Sequence, residues 1–129
     1  MAHVVHLADE PEVRISAGRW QPLNQRLGIT YFGINGTVLD PGEDPDIDHD
    51  EAGGGEQEAY IVVTGRARFR LGDEYVEVGP GSVVAVPDPT EIRGYRALEP
   101  GTRIVCIGCG SGAEHDFGGW ITRDQEAER

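Results

Sequence analysis

The residues best placed to do chemistry lie between positions 48 and 65, in the run DHDEAGGGEQEAYIVVTG. An imidazole and several carboxylates occupy a Gly-rich stretch that passes directly into an apolar run. Such a stretch is a metal site, the remains of one, or an acidic loop, and the residue types alone leave all three open. Side chains alternate across a strand, so Glu56, Glu58 and Tyr60 fall on one face. Two carboxylates and a phenol could then share an interior. A buried carboxylate must be paired or protonated, so Glu58 has an alternative, structural role, hydrogen-bonded to donors of the fold.

Other chemistries find little support. There is no Gly-x-Ser-x-Gly elbow, and Ser82 and Ser111 stand in or beside Gly turns. The glycines at 53–55 lead into a strand, not a helix, so they do not form a phosphate cradle. All eleven basic residues are Arg, and the absence of Lys excludes a Schiff base on a side-chain amine. The net charge of −12 argues against nucleic acid and against an anionic membrane surface. The pair in CIGC, Cys106 and Cys109, invites a redox or zinc reading. On a strand, however, positions three apart face opposite sides unless Gly108 bends the chain, and no second such pair completes a zinc site. Two free thiols are expected.

These groups must be positioned by short strands. The chain of 129 residues is expected to form one domain, burying roughly two-thirds of the surface its unfolded form exposes. Apolar runs cut by nineteen Gly and eight Pro point to an all-β fold. Strands are expected at HVVHL, EVRIS and GITYFGINGTVL. His3 and His6, three apart, would point to opposite faces at the surface or an interface. From Asp40 to Glu58, nine acidic residues and no basic one, interrupted by Gly and Pro, read as a loop.

AYIVVTG then reads as an apolar strand and RARFRL as an alternating one. Gly72-Asp73 is a two-residue hairpin turn leading to YVEV. That turn sets the register: Arg68 opposite Glu77, Arg70 opposite Tyr75, Phe69 opposite Val76, Ala67 opposite Val78. The apolar pairs should enter the core, and the Arg row should form a solvated face. SVVAVP, RGYRA and TRIVCIG complete the set, and WITRDQEAER could add a terminal helical turn around Trp120. The start of the chain has no basic region followed by an apolar core, so it does not read as a signal peptide. No apolar run is long enough to span a bilayer. A soluble, cytoplasmic protein is expected.

The order of these pieces resembles the cupin superfamily. In the family's first motif a His-x-His pair precedes a Glu that is separated by six residues from a Gly, and EAYIVVTG supplies Glu58 and Gly65. In the second motif a Gly precedes a Pro across five residues, and GSVVAVP supplies Gly81 and Pro87. The resemblance implies a single-domain jelly-roll β-barrel, or double-stranded β-helix. Residues 40–110 would form the barrel, with the strands of 1–39 packing on it or exchanging with a partner, and 111–129 a tail.

The departures lie in the metal motif. The third His position falls on Ile92. In the first motif, His49-Asp50-Glu51 would stand for His-x-His, offset by the glycines 53–55. The available ligand set is then His49, Glu51 and Glu58, with Glu56 in reserve. It is richer in oxygen than the two-His, one-carboxylate triad of oxygen-activating iron. Either no cofactor or a weakly held divalent metal (Mn, Fe or Zn) is expected. Arg93 and Arg96 could reach the barrel mouth and pair with Glu58 or grip a substrate carboxylate.

Three functions remain open. The first is binding of a small organic molecule. The second is an enzyme with an altered metal set, or a metal-free isomerase, lyase or cyclase with Glu58 as base and Tyr60 or Arg93 steadying an intermediate. The third is a barrel filled by its own side chains. The resemblance also implies a homodimer formed through an edge strand or an exchanged N-terminal strand.

Overall fold

The computed structural model describes residues 2–15, 18–43 and 48–110. The expected terminal turn around Trp120 lies outside the described residues. The fold is a two-sheet antiparallel jelly roll. The strands are β1 (Val13–Ile15), β2 (Gly18–Pro22), β3 (Gly33–Leu39), β4 (Gln57–Thr64), β5 (Ala67–Leu71), β6 (Glu74–Val78), β7 (Val83–Val86), β8 (Arg93–Ala97) and β9 (Thr102–Cys109). Six of them form one sheet in the order β1-β2-β3-β9-β4-β7, and β6-β5-β8 form the other.

The hairpin follows the register expected from its turn. Arg68 pairs with Glu77, Arg70 with Tyr75, Phe69 with Val76 and Ala67 with Val78, and Gly72 takes φ +63° as a Gly-first turn requires. The burial of its apolar pairs is a correction. Ala67 and Phe69 are fully buried, but Val76 remains 39% exposed. Strand β6 is the edge of its sheet, so its inner face is covered from one side only.

The N-terminal third departs further. HVVHL is not a strand; a 3-10 turn, Leu7–Asp9, begins at its last residue. The Gln21 amide explains how this segment is held without a ladder. It donates to the carbonyls of Leu7 (2.7 Å) and Glu10 (3.2 Å), taking acceptors that a neighbouring strand would otherwise use. GITYFGINGTVL does not become strand until Gly33. Before it lies a short helix, α1 (Asn24–Leu27), closed by Gly28 at φ +68°. The Asn24 side chain ties the intervening loop to β3, donating to the Ile29 and Phe32 carbonyls and accepting from the Ile34 amide. The chain's own β1 and β3 flank β2, and β3 itself lies between β2 and β9.

The core sits between the sheets. Tyr60, Phe69 and Tyr95 form a triangle of rings with centroids 5.2–5.5 Å apart, each contact adding about 0.5–1.5 kcal/mol beyond its buried area. Val62, Val84, Val86, Ile104 and Leu39 pack around them. The Tyr95 hydroxyl hydrogen-bonds Thr37 Oγ1 at 2.9 Å, so its polar tip is satisfied. Gly65 ends β4 where the backbone passes against β9. A Cβ there would stand 2.7 Å from Thr102 Cα, and the residue's φ of +78° already favours Gly.

Candidate functional site

The alternation of β4 delivers Glu58 and Tyr60 to the interior, both nearly fully buried. On β8 the inward positions are Arg93, Tyr95 and Ala97, paired through β5 with Leu71, Phe69 and Ala67. Ile92, where a third His was sought, is 40% exposed, and its neighbour Arg93 is fully buried. The position aimed into the barrel therefore carries a guanidinium.

Arg93 Nη1 donates to Glu58 Oε1 at 3.3 Å, and Nη2 donates to the Asp88 carbonyl at 3.1 Å. Its Nε has no hydrogen-bond partner among the described residues. The Tyr60 hydroxyl donates to the same Glu58 oxygen at 2.7 Å. Cys106 Sγ stands 3.4 Å from the other oxygen, Oε2, as a weak donor. Oε1 thus accepts a short hydrogen bond from Tyr60 and a long one from Arg93, while Oε2 keeps room for another partner. Burial above all, then the nearby Cys106 and Glu58, push the Tyr60 pKa far above the ordinary phenol value. Tyr60 is therefore a fixed proton donor, and its proton is committed to Glu58. Arg96, by contrast, points to the outer face of its sheet, 3.5 Å from Asp48, which also accepts from Arg70 at 3.0 Å.

The acidic loop returns to the barrel mouth. His49 and Arg93 exchange two backbone hydrogen bonds, 2.9 and 2.8 Å, and the Glu51 amide donates to the Pro89 carbonyl at 2.8 Å. Residues 49–51 are thereby pinned beside β8, over the end of the barrel that holds Glu58. His49 Nε2 lies 3.0 Å from Glu51 Oε1. Ligand atoms of His49, Glu51 and Glu58 all fall within 4.8 Å of one another. The three residues proposed from the first motif are therefore brought together. Glu56 joins them through Glu51. Its carboxyl pKa is pushed up to about 7 by burial first, then by the negative charges of Glu51 and Glu58 and a hydrogen bond with Glu51.

Cys106 is the contact that sequence reasoning missed. Its inward parity was readable once it was placed opposite Tyr60 on the neighbouring strand. The expected divergence of the two thiols is what the structure shows: Cys106 is buried, Cys109 is half-buried, and both are free.

The donor set fits a divalent cation of modest affinity. One imidazole and up to three carboxylates suit a hard ion, and the raised Glu56 pKa marks a local surplus of negative charge that a proton or a cation would relieve. Arg93 works against tight binding, because it already neutralises Glu58.

No protein-family profile matches the chain, and no curated protein matches it. Solved structures do. A Halomonas sp. structure named KdgF superposes with a TM-score of 0.67 at 17% identity, covering 78% of this chain and 88% of that one. A cupin protein from Bacteroides fragilis gives 0.67 at 17% identity, over 92% of both chains. A structure from Silicibacter pomeroyi, named a sugar phosphate isomerase from a cupin superfamily, gives 0.66 at 14% identity, over 84% of this chain and 76% of that one.

Proposed function

With the cupin fold as premise, we propose that this chain binds a small organic molecule, uncharged or cationic, at the barrel mouth. The observation that carries this reading is the division of charge there. Among the described residues the one buried cation, Arg93, is committed to Glu58, whereas three carboxylates gather at the mouth beside one imidazole: ligand atoms of His49, Glu51 and Glu58 lie within 4.8 Å of one another, and Glu56 adds its carboxyl next to Glu51. An acceptor-rich mouth favours ligands that donate hydrogen bonds, such as polyols, sugars and amines, and disfavours carboxylates and phosphates. One structural neighbour is named a sugar phosphate isomerase; the acidic mouth argues that a sugar lacking the phosphate is the better ligand here.

Below the mouth the interior is closed by the Tyr60, Phe69 and Tyr95 rings, so the ligand would sit on the ionic floor and not deep in the barrel. A divalent ion held by His49, Glu51 and Glu58 would supply Lewis-acid polarisation of a ligand oxygen. The residues of the chain have separate tasks. Tyr60 and Arg93 fix Glu58 in orientation, and Glu51 and Glu56 accept hydrogen bonds from the ligand.

Thermal-shift measurements against neutral sugars and polyols, amines, and carboxylic acids test this reading, each with and without Mn²⁺. A shift with the first or second class that Glu51→Gln abolishes supports it. A ligand at a hundred times its Kd adds about 2.7 kcal/mol, well within detection. Shifts confined to carboxylic acids would refute it.

A second reading, an enzyme that moves a proton, is favoured by one observation: the Glu56 carboxyl is poised near neutral pH by burial and by its neighbours Glu51 and Glu58. In an aldose–ketose isomerisation Glu56 would take the proton from C2 and return it to C1 while a proton passes from the C2 hydroxyl to the C1 oxygen, with no net oxidation. Deuterium from solvent appearing in recovered sugar would support it, and its absence under ligand saturation would leave binding alone.

A further inference from the structure

The inner face of β3 carries a polar side chain that no bond of the described fold uses. Thr37 on this strand bonds the Tyr95 hydroxyl in the core. Two residues earlier, Asn35 stands opposite Cys106 of β9, whose thiol faces Glu58. Strand parity therefore turns Asn35 inward. It is only 7% exposed, yet its side-chain amide hydrogen-bonds no described residue. A buried amide left without a partner is costly. Asn24, buried as well, shows the structural alternative: its amide donates twice and accepts once.

Glu58 leaves a matching valence open. Its Oε1 is taken by Tyr60 and Arg93, whereas Oε2 faces only the weak Cys106 donor. Gly108 of β9 pairs with Glu58. A Cβ there would stand 3.2 Å from Glu58 Cγ and 3.5 Å from Oε2, and no positive φ demands a glycine. This glycine is therefore explained by space: no side chain at 108 crowds Oε2. Cys106, one pair deeper, separates Oε2 from the Asn35 amide. Glu58, like Asn35, is 7% exposed, so neither group is sealed off.

We propose that Asn35 is the specificity-determining residue of the mouth, its amide and Glu58 Oε2 receiving two adjacent hydroxyls of one neutral ligand, a vicinal diol. The inference rests on the mouth as a small-molecule site, and it narrows the ligand from uncharged or cationic to uncharged. Strands β3 and β4 lie about 9–10 Å apart across β9. Two side chains reaching inward on either side of Cys106, with hydroxyl contacts of about 2.8 Å, close that span. The amide both donates and accepts, and Oε2 accepts. A hydroxyl satisfies both. An ammonium has nothing to accept from the amide, and a carboxylate brings a negative charge to Oε2 and no proton to donate. A probe that fails one of these matches leaves a buried group unpaired, which discriminates more strongly than a lost apolar contact.

Titration calorimetry of the full chain with cis-cyclohexane-1,2-diol, cyclohexanol and cyclohexylamine tests this. The diol is expected to bind at least about tenfold more tightly than either other probe. Asn35→Leu keeps the size of the side chain and removes its polarity. It should weaken the diol at least about tenfold and leave cyclohexanol within about twofold. It should also melt at or above the parent temperature, because the free chain loses no hydrogen bond. Gly108→Ala, which puts a methyl beside Oε2 and leaves Asn35 in place, should weaken the diol as well. Melting of Asn35→Leu more than about 4 °C below the parent would make Asn35 a structural residue and overturn the inference. So would a parent that binds none of the three probes. A diol affinity lost in Glu51→Gln but kept in Asn35→Leu would overturn the role of Asn35 while leaving binding at the mouth intact, as would a parent that prefers cyclohexylamine.

Discussion

The barrel interior has two halves that solve the burial problem in opposite ways. Around Phe69 the rings of Tyr60 and Tyr95 meet edge and tilt, and nothing charged intrudes. One step along β4 and β8, Glu58 and Arg93 are just as deeply buried, and there the chemistry is ionic. Tyr60 belongs to both halves: its ring closes the aromatic triangle and its hydroxyl binds Glu58. The aromatic half can fail only by leaving a void. The ionic half can also fail by leaving a charge without its partner. Stability depends on both halves; ligand chemistry should depend only on the ionic one.

The largest expected effect tests that division directly. Arg93→Ala leaves the Glu58 carboxylate buried with its ionic partner removed and should cost about 3–5 kcal/mol in urea unfolding. The paired change Glu58→Gln with Arg93→Met should recover most of that loss. If the double variant is no more stable than the single one, the ion pair is not what carries the cost. Phe69→Ala should destabilise by a similar amount, about 3–5 kcal/mol, through its cavity. Its folded fraction should nevertheless bind divalent metal or ligand as the parent does. Loss of binding in the folded fraction would show that the two halves are not separable.

A smaller effect concerns pH. The Glu56 carboxyl is raised from 4.5 to about 7, so between those values the folded chain keeps a proton that the unfolded chain releases. The group adds no penalty below about pH 4.5; it becomes destabilising as pH rises through the interval and stays so above pH 7. The side chain is only half-buried, so solvent screening reduces the penalty to about 1 kcal/mol. Glu56→Gln should flatten the profile, gaining about that amount near pH 8 and nothing near pH 4. A divalent ion bound at the mouth should flatten it as well. A profile unchanged by the substitution would mean that Glu51 and Glu58 do not crowd this carboxyl. His49→Ala should change stability least, by under about 1 kcal/mol for a partly exposed side chain. It should also reduce whatever metal the protein retains, measured by elemental analysis.

The interior was legible where period two and a tight turn governed it. Gly72-Asp73 determines every pair of the β5–β6 hairpin, and alternation put Phe69, Glu58 and Tyr60 inward. Strand β2 was not legible, because GRWQP shows no alternation and ends in Pro. The helix Asn24–Leu27 was hidden because its stability comes from one side chain, Asn24, bonding a loop that has not yet formed in the sequence view. HVVHL misled because apolar content suggested a ladder where the Gln21 amide holds the backbone. At the mouth, the grouping of His49, Glu51 and Glu58 was available only by resemblance, since it depends on the loop folding back across β8. Counting to the third His position landed on Ile92, one position before the inward Arg93, and one position on a strand reverses the face; of the two Arg offered as partners of Glu58, Arg93 is the one that pairs with it and Arg96 points outward.

The paired backbone bonds between His49 and Arg93 have a consequence for motion. Each amide is protected by the other residue's carbonyl, so neither can exchange its hydrogen with solvent unless the loop lifts from β8. The two amides should therefore exchange at one common rate, and that rate would time the opening of the barrel's mouth.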